Sequence, residues 1–151
     1  MNFKKLFICI LIPIAVGLIS TFFTINNMQI FQNLNKPDFA PPAQLFPIVW
    51  TILYIMMGIA SYLVYLSESN NETALNVYAI QLIFNFFWSI IFFNLKEYQF
   101  AFYWIIILWI LIFITTLLFY NISKPAGYLM IPYLIWVSFA AYLNWQIYIL
   151  N

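Results

Sequence analysis

All nine charged residues of this 151-residue chain, five basic and four acidic, stand outside its five long apolar runs. The runs cover about 6–25, 45–66, 74–95, 98–120 and 128–150, and none contains Asp, Glu, Lys or Arg. A soluble domain normally carries about a quarter charged residues. Here the charged share is 6% and the hydrophobic share 66%, so water cannot be the solvent for most of this surface. A helix needs roughly 20 apolar residues to cross about 30 Å of hydrocarbon. Transmembrane strands would instead alternate apolar and polar residues over roughly ten positions. The stretch Trp104–Leu118 is apolar on every face apart from two Thr, which excludes that alternation. The prediction is an all-α integral membrane bundle: five transmembrane helices in a single domain over 1–151, multi-pass, with a Lys-, Asn- and Ile-rich composition that fits a bacterial cell membrane. A Pro-rich loop, Asn26–Gln44, separates the first two spans.

The same composition removes several classes of function. Net charge is +1 and every basic residue is Lys. No clustered basic face exists for a nucleic-acid partner. There is no His, and Cys9 stands alone, so neither an internal disulfide nor a metal site is predicted. No cofactor is expected. The four carboxylates lie in loops, which leaves conventional acid–base or nucleophilic catalysis without its residues. No ionisable residue marks an ion path within the spans, which argues against a pump. Lys4 and Lys5 followed by apolar residues could pass for a signal peptide. No Ala-x-Ala-like site follows, however, and the run continues to Ile25, so it reads as a retained first span. Lys4, Lys5 and Lys124 against Lys36 and Lys96 give a slim excess that favours the N-terminus inside.

The gaps carry turn chemistry. Asn26-Asn27 ends the first span. Ser67–Thr73 reads as a solvated turn, with Asn71 or Thr73 capping the third span through a side-chain oxygen. Lys96-Glu97 is a connection so short that the spans on either side must be antiparallel neighbours. Asn121–Pro125 and Gly127 predict a break before the last span. Pro37, Pro41 and Pro42 stiffen the long loop. It is either a plain connector or a rigid lid over the bundle's open end, with Phe39, Pro41 and Pro42 as the lid residues.

Polar groups inside the spans fall into stripes. Gln81, Asn85 and Trp88 share one face of the third span, Trp136, Ala140 and Asn144 one face of the fifth, and Trp50 and Tyr54 one face of the second. Lipid offers a side-chain amide no partner, so these stripes should face inward. They serve either as interhelical glue, worth about 1 kcal/mol each, or as a pocket for a flat apolar ligand.

At these residues the chain resembles the tryptophan-rich sensory protein family, also called the translocator protein or peripheral benzodiazepine receptor family. The matching segments are Lys36-Pro37-Asp38-Phe39-Ala40-Pro41-Pro42, Phe46–Tyr54 continuing through Met57–Val64, Asn85–Trp88 with Phe92-Phe93, and Pro132–Trp145. The resemblance implies a homodimer with a pocket under the first loop that binds porphyrins such as protoporphyrin IX and similar flat hydrophobic drugs. It assigns Phe46, Trp50, Tyr54, Asn85, Trp88, Trp136, Ala140 and Asn144 to that pocket. It also implies two alternatives to a receptor in tetrapyrrole or stress signalling. One is a light- and oxygen-dependent porphyrin-degrading enzyme, for which Trp50 and Trp136 would be the catalytic residues. The other is a transporter of porphyrins or other lipophiles. The chain departs from the family pattern in three places. Phe39 stands where Trp is usual. The fourth span lacks an acidic residue, with Trp104 near its place. No Lys or Arg follows the fifth span to complete the cholesterol-recognition pattern, so sterol binding is not predicted.

Overall fold

A computed structural model describes residues 2–67 and 69–151; Glu68, in the turn foreseen at 67–73, and Met1 lie outside the described residues. Among the described residues five helices are long and apolar enough to cross a membrane. They are α1 (Phe3–Thr24), α3 (Leu45–Tyr65), α4 (Glu72–Leu95), α5 (Tyr98–Ile122) and α6 (Lys124–Leu150). A short α2, Ile30–Asn33, interrupts the long loop. The spans close into a ring in the order α1, α3, α6, α5, α4 and back to α1. Large apolar side chains such as Phe7, Phe22, Ile48, Ile83, Ile110 and Ile135 point outward, where only lipid can cover them.

The connections show why sequential spans pack as they do. The end of α4 winds as a π-helix over Ile90–Leu95, and Lys96 then turns the chain in the left-handed region at φ 56°. The α4–α5 link is therefore as short as its two charged residues suggest. The α5–α6 link is shorter than foreseen. The break expected over 121–125 and at Gly127 reduces to Ser123 alone. Pro125 sits in the first turn of α6, where a missing N–H has no helical partner to lose. Gly127 lies within the helix, packed against Tyr120.

The predicted side-chain cap on α4 is also corrected. Asn71 holds the N-cap position but caps nothing there. Its amide instead donates to the Val64 and Tyr65 carbonyls at 3.0 and 3.3 Å, closing the end of α3. The Val64 carbonyl also accepts the Ser67 N–H at 3.1 Å, so the amide adds a donor where the helix runs out of them.

Small residues set the α1–α3 crossing. A Cβ on Gly58 would overlap the backbone of Ile10, and one on Gly17 would overlap the Tyr54 ring. Pro13, Gly17, Ser20 and Thr24 form the buried stripe of α1. Hydroxyls inside the spans are mostly spent on their own helix. Thr24, Thr51, Thr115, Thr116 and Ser138 donate to carbonyls four residues back, and Ser61 donates to Gly58 three back.

Candidate functional site

One half of the bundle, beneath the α1–α3 loop, holds a cavity of about 360 Å³. The packing explains its position. On the opposite side Tyr78, Phe119, Met130 and Val64 fill the interior. On the loop side, α1 presents the small or hydroxyl residues Gly17, Ser20, Thr21 and Thr24, with Ile14 and Leu18, toward the large rings of α3 and α4, and the interior is left open. Phe46, Trp50 and Tyr54 come from the start of α3, Trp88, Ser89, Phe92 and Phe93 from the end of α4, and Ala140, Leu143, Asn144 and Ile147 from the end of α6. The loop contributes Met28, Phe31 and Ala43. Among the described residues no charged one lines the cavity.

Six of the residues singled out in the sequence therefore share this wall: Phe46, Trp50, Tyr54, Trp88, Ala140 and Asn144. Asn85 does not reach it. It sits one layer behind Tyr54, where its carbonyl accepts the Tyr54 hydroxyl at 2.9 Å and its amide donates to the Tyr133 hydroxyl at 2.9 Å. Tyr133 in turn donates to Gln81 Oε1 at 2.7 Å. These four buried side chains bond α3, α4 and α6 to one another. Trp136 also lies off the wall. Its ring packs edge-on against Phe46 at 5.8 Å and lines a separate, wholly apolar groove between α3 and α6. Asn144 reaches the cavity with both ends of its amide engaged: Oδ1 accepts from Trp88 Nε1 at 3.1 Å, and Nδ2 donates to the Tyr98 carbonyl at 2.9 Å.

The foreseen lid residues are arranged differently from the foreseen lid. Phe39 stacks on Tyr142 of α6 at 5.4 Å and 16°, outside the cavity, and Pro41 and Pro42 are not on the wall. The loop's inward residue is Phe31 of α2, which is buried and packs edge-on against Phe46 at 5.3 Å. The loop is tied down by amides at its start and at its middle. Asn27 donates to Asn94, which donates to the Phe23 carbonyl. Asn35 and Asn151 exchange two hydrogen bonds, Asn35 N to Asn151 Oδ1 at 3.0 Å and Asn151 Nδ2 to the Asn35 carbonyl at 2.9 Å. Lys36 Nζ closes α2 by donating to the Phe31, Gln32 and Leu34 carbonyls. Its charge is thereby held at the loop and away from the cavity.

The sequence reading missed α1 and α2 as wall elements. The signal was present in both: small and hydroxyl residues at 17, 20, 21 and 24 on one face of the first span, and apolar Met28 and Phe31 three apart in the first part of the loop. Among the described residues no group of His, Cys, Asp and Glu could hold a metal ion. Chemically, the cavity can surround a flat apolar body with aromatic faces and offer it a few hydrogen bonds.

Comparison with known proteins agrees along nearly the full length. The model of the TspO/MBR family matches residues 9–150. A tryptophan-rich protein TspO of Chlorobaculum tepidum is 43% identical over 148 residues, covering 95% of this chain and 94% of the relative. One of Archaeoglobus fulgidus is 39% identical and covers 100% and 99%. The translocator protein of Ovis aries is 33% identical and covers 78% and 72%.

Proposed function

The chain belongs to the TspO/MBR family and is a multi-pass integral membrane protein; from that premise we propose that it is a receptor-like binding protein for porphyrins and similar flat hydrophobic molecules. The single observation that carries this reading is the cavity under the loop. It is free of charge, built of aromatic side chains from two spans and the loop, and closed by Phe31. Its volume of about 360 Å³ lies at the lower end of the roughly 300–1,000 Å³ of ligand pockets. A ligand as broad as a porphyrin therefore enters by displacing the loop and stays partly under it. The rings of Trp50 and Trp88 offer it stacking faces, each aromatic contact worth about 0.5–1.5 kcal/mol beyond area burial.

The test is a titration of purified protein with protoporphyrin IX, read by the shift of the Soret band against protein-free micelles. Trp50→Phe should weaken binding about five- to tenfold. Trp109→Phe should leave it unchanged, since that indole lies elsewhere and bonds Ser138. Equal affinities in both variants would refute the reading. The same titration under illumination separates binding from degradation. Porphyrin loss faster than in protein-free micelles, and dependent on Trp50, would make the protein an enzyme.

A further inference from the structure

Two side-chain donors of α4 have no partner among the described residues, the Tyr78 hydroxyl and the Gln81 amide nitrogen. Neither residue lines the cavity. They lie three apart on one face of the helix and are buried, Tyr78 at 6% exposure and Gln81 at 0%. A third such atom, Trp136 Nε1, stands apart on α6. Hydrocarbon gives a buried donor nothing to bond, so each stranded one carries its full desolvation cost. Packing does not require the Tyr78 oxygen either. Its ring meets Phe119 at 5.5 Å and 41°, a contact that phenylalanine would make as well.

A third polar group comes from α3. Tyr54 of α3 and Asn85 of α4 bond each other across the bundle. The two spans run in opposite directions, so Ser61, seven residues on, comes level with Tyr78, seven residues back. Ser61 is buried, and its hydroxyl neighbours that of Tyr78. Its proton goes to the Gly58 carbonyl at 2.9 Å, which leaves the oxygen free to accept. Two donors and one acceptor thus meet in the half of the bundle remote from the loop. What satisfies them must be small and neutral, accept twice and donate. An ion is unsuitable, because no charged side chain is among the buried residues to balance it. A lipid carbonyl cannot reach a residue as enclosed as Gln81. A buried water molecule fits, since such waters typically make about three hydrogen bonds to groups otherwise left unpaired.

We propose that Tyr78, Gln81 and Ser61 bind one buried water molecule, which accepts from the Tyr78 hydroxyl and Gln81 Nε2 and donates to Ser61 Oγ. The water joins Ser61 to the chain Tyr54–Asn85–Tyr133–Gln81, so one polar column runs from the cavity wall into the opposite half. The site is independent of what the cavity binds. The experiment is water-edited solid-state NMR of the labelled full-length protein in bilayers of chain-deuterated lipid, reading magnetisation passed from water to side-chain amides. Exposed Asn35 is the positive control, and Asn85, bonded at both ends to tyrosines, the negative one. Transfer to Gln81 should exceed that to Asn85 at least threefold and should fall to the Asn85 level in Tyr78→Phe. The same variant, unfolded reversibly in mixed micelles, should show an unfolding constant about three- to tenfold higher than wild type. Transfer to Gln81 no greater than to Asn85 in the wild type would overturn the site. An unfolding constant unchanged or lowered by Tyr78→Phe would overturn it as well, since removing a stranded hydroxyl costs nothing.

Discussion

Replacing Tyr133 with Phe removes one oxygen from the centre of the bundle and should cost more than its size suggests. The residue is fully buried. Its hydroxyl accepts from Asn85 at 2.9 Å and donates to Gln81 at 2.7 Å. Interhelical hydrogen bonds in membrane proteins average about 0.6 kcal/mol and reach about 1.7. Two are lost together. Gln81 is also fully buried, and its amide nitrogen has no partner among the described residues, so Tyr133→Phe strips that amide of its one side-chain bond. Stranding a buried polar group costs about 1–3 kcal/mol. The cost of Tyr133→Phe should therefore be about 2–3 kcal/mol. Tyr54→Phe breaks only the bond to Asn85 and should cost about 1 kcal/mol. The assay is reversible unfolding in mixed micelles titrated with denaturing detergent, followed by circular dichroism. A second substitution sharpens it. In the Tyr133→Phe background, Gln81→Leu removes the stranded amide, and stability should recover by about 1 kcal/mol or more. Porphyrin affinity should move less than about threefold, because Tyr133 is not on the cavity wall. The reasoning fails if Tyr133→Phe lies within about 0.5 kcal/mol of wild type, or if Gln81→Leu deepens the loss.

Three further outcomes follow from the geometry. Gly58→Ala places a methyl against the Ile10 backbone, which cannot give way as a flexible side chain would. It should cost about 1–3 kcal/mol, read as a lower unfolding midpoint in detergent. Asn151→Ala removes both of its bonds to Asn35. Loosening the middle of the loop, where Asn35 keeps only its bond to the Leu150 carbonyl, should raise the ligand dissociation rate about three- to tenfold in stopped-flow, and an unaltered rate would separate the loop from access to the cavity. Among the described residues Tyr54 is the one titratable side chain on the wall, and the chain contains no His. Binding of an uncharged porphyrin ester should therefore be flat between about pH 5 and 9, and a titration step in that range would place an unrecognised ionising group at the site.

How much of the site could be read from residues alone is clearest in the two buried asparagines. Both sit in inward stripes, as their amides require in lipid, and that much needed only helical spacing. Asn144 reaches the cavity and Asn85 stops behind Tyr54. The difference is set by which ring on a neighbouring helix stands in front, and no local pattern carries that information. Trp136 follows the same logic. It lies four residues from Ala140 on the stripe, yet it falls behind Phe46 because α3 and α6 cross where that ring intervenes. The loop shows the converse. Its prolines were conspicuous, but they stiffen a segment that docks outside on Tyr142, while the unremarked Phe31 turns inward.

The sequence by itself determined that this chain is a bundle of five membrane spans, because charge cannot be left in hydrocarbon and every charged residue was kept out of the runs. It also determined that the interior chemistry would be that of rings, amides and hydroxyls. Only the tertiary structure decided where that chemistry faces open space. The cavity exists because α1 sets glycine, serine and threonine opposite the large rings of α3 and α4, and the crossing of α1 on α3 at Gly17 and Gly58 fixes that juxtaposition. A void is a property of two surfaces that fail to fill one another, and a single strip of sequence describes only one of them.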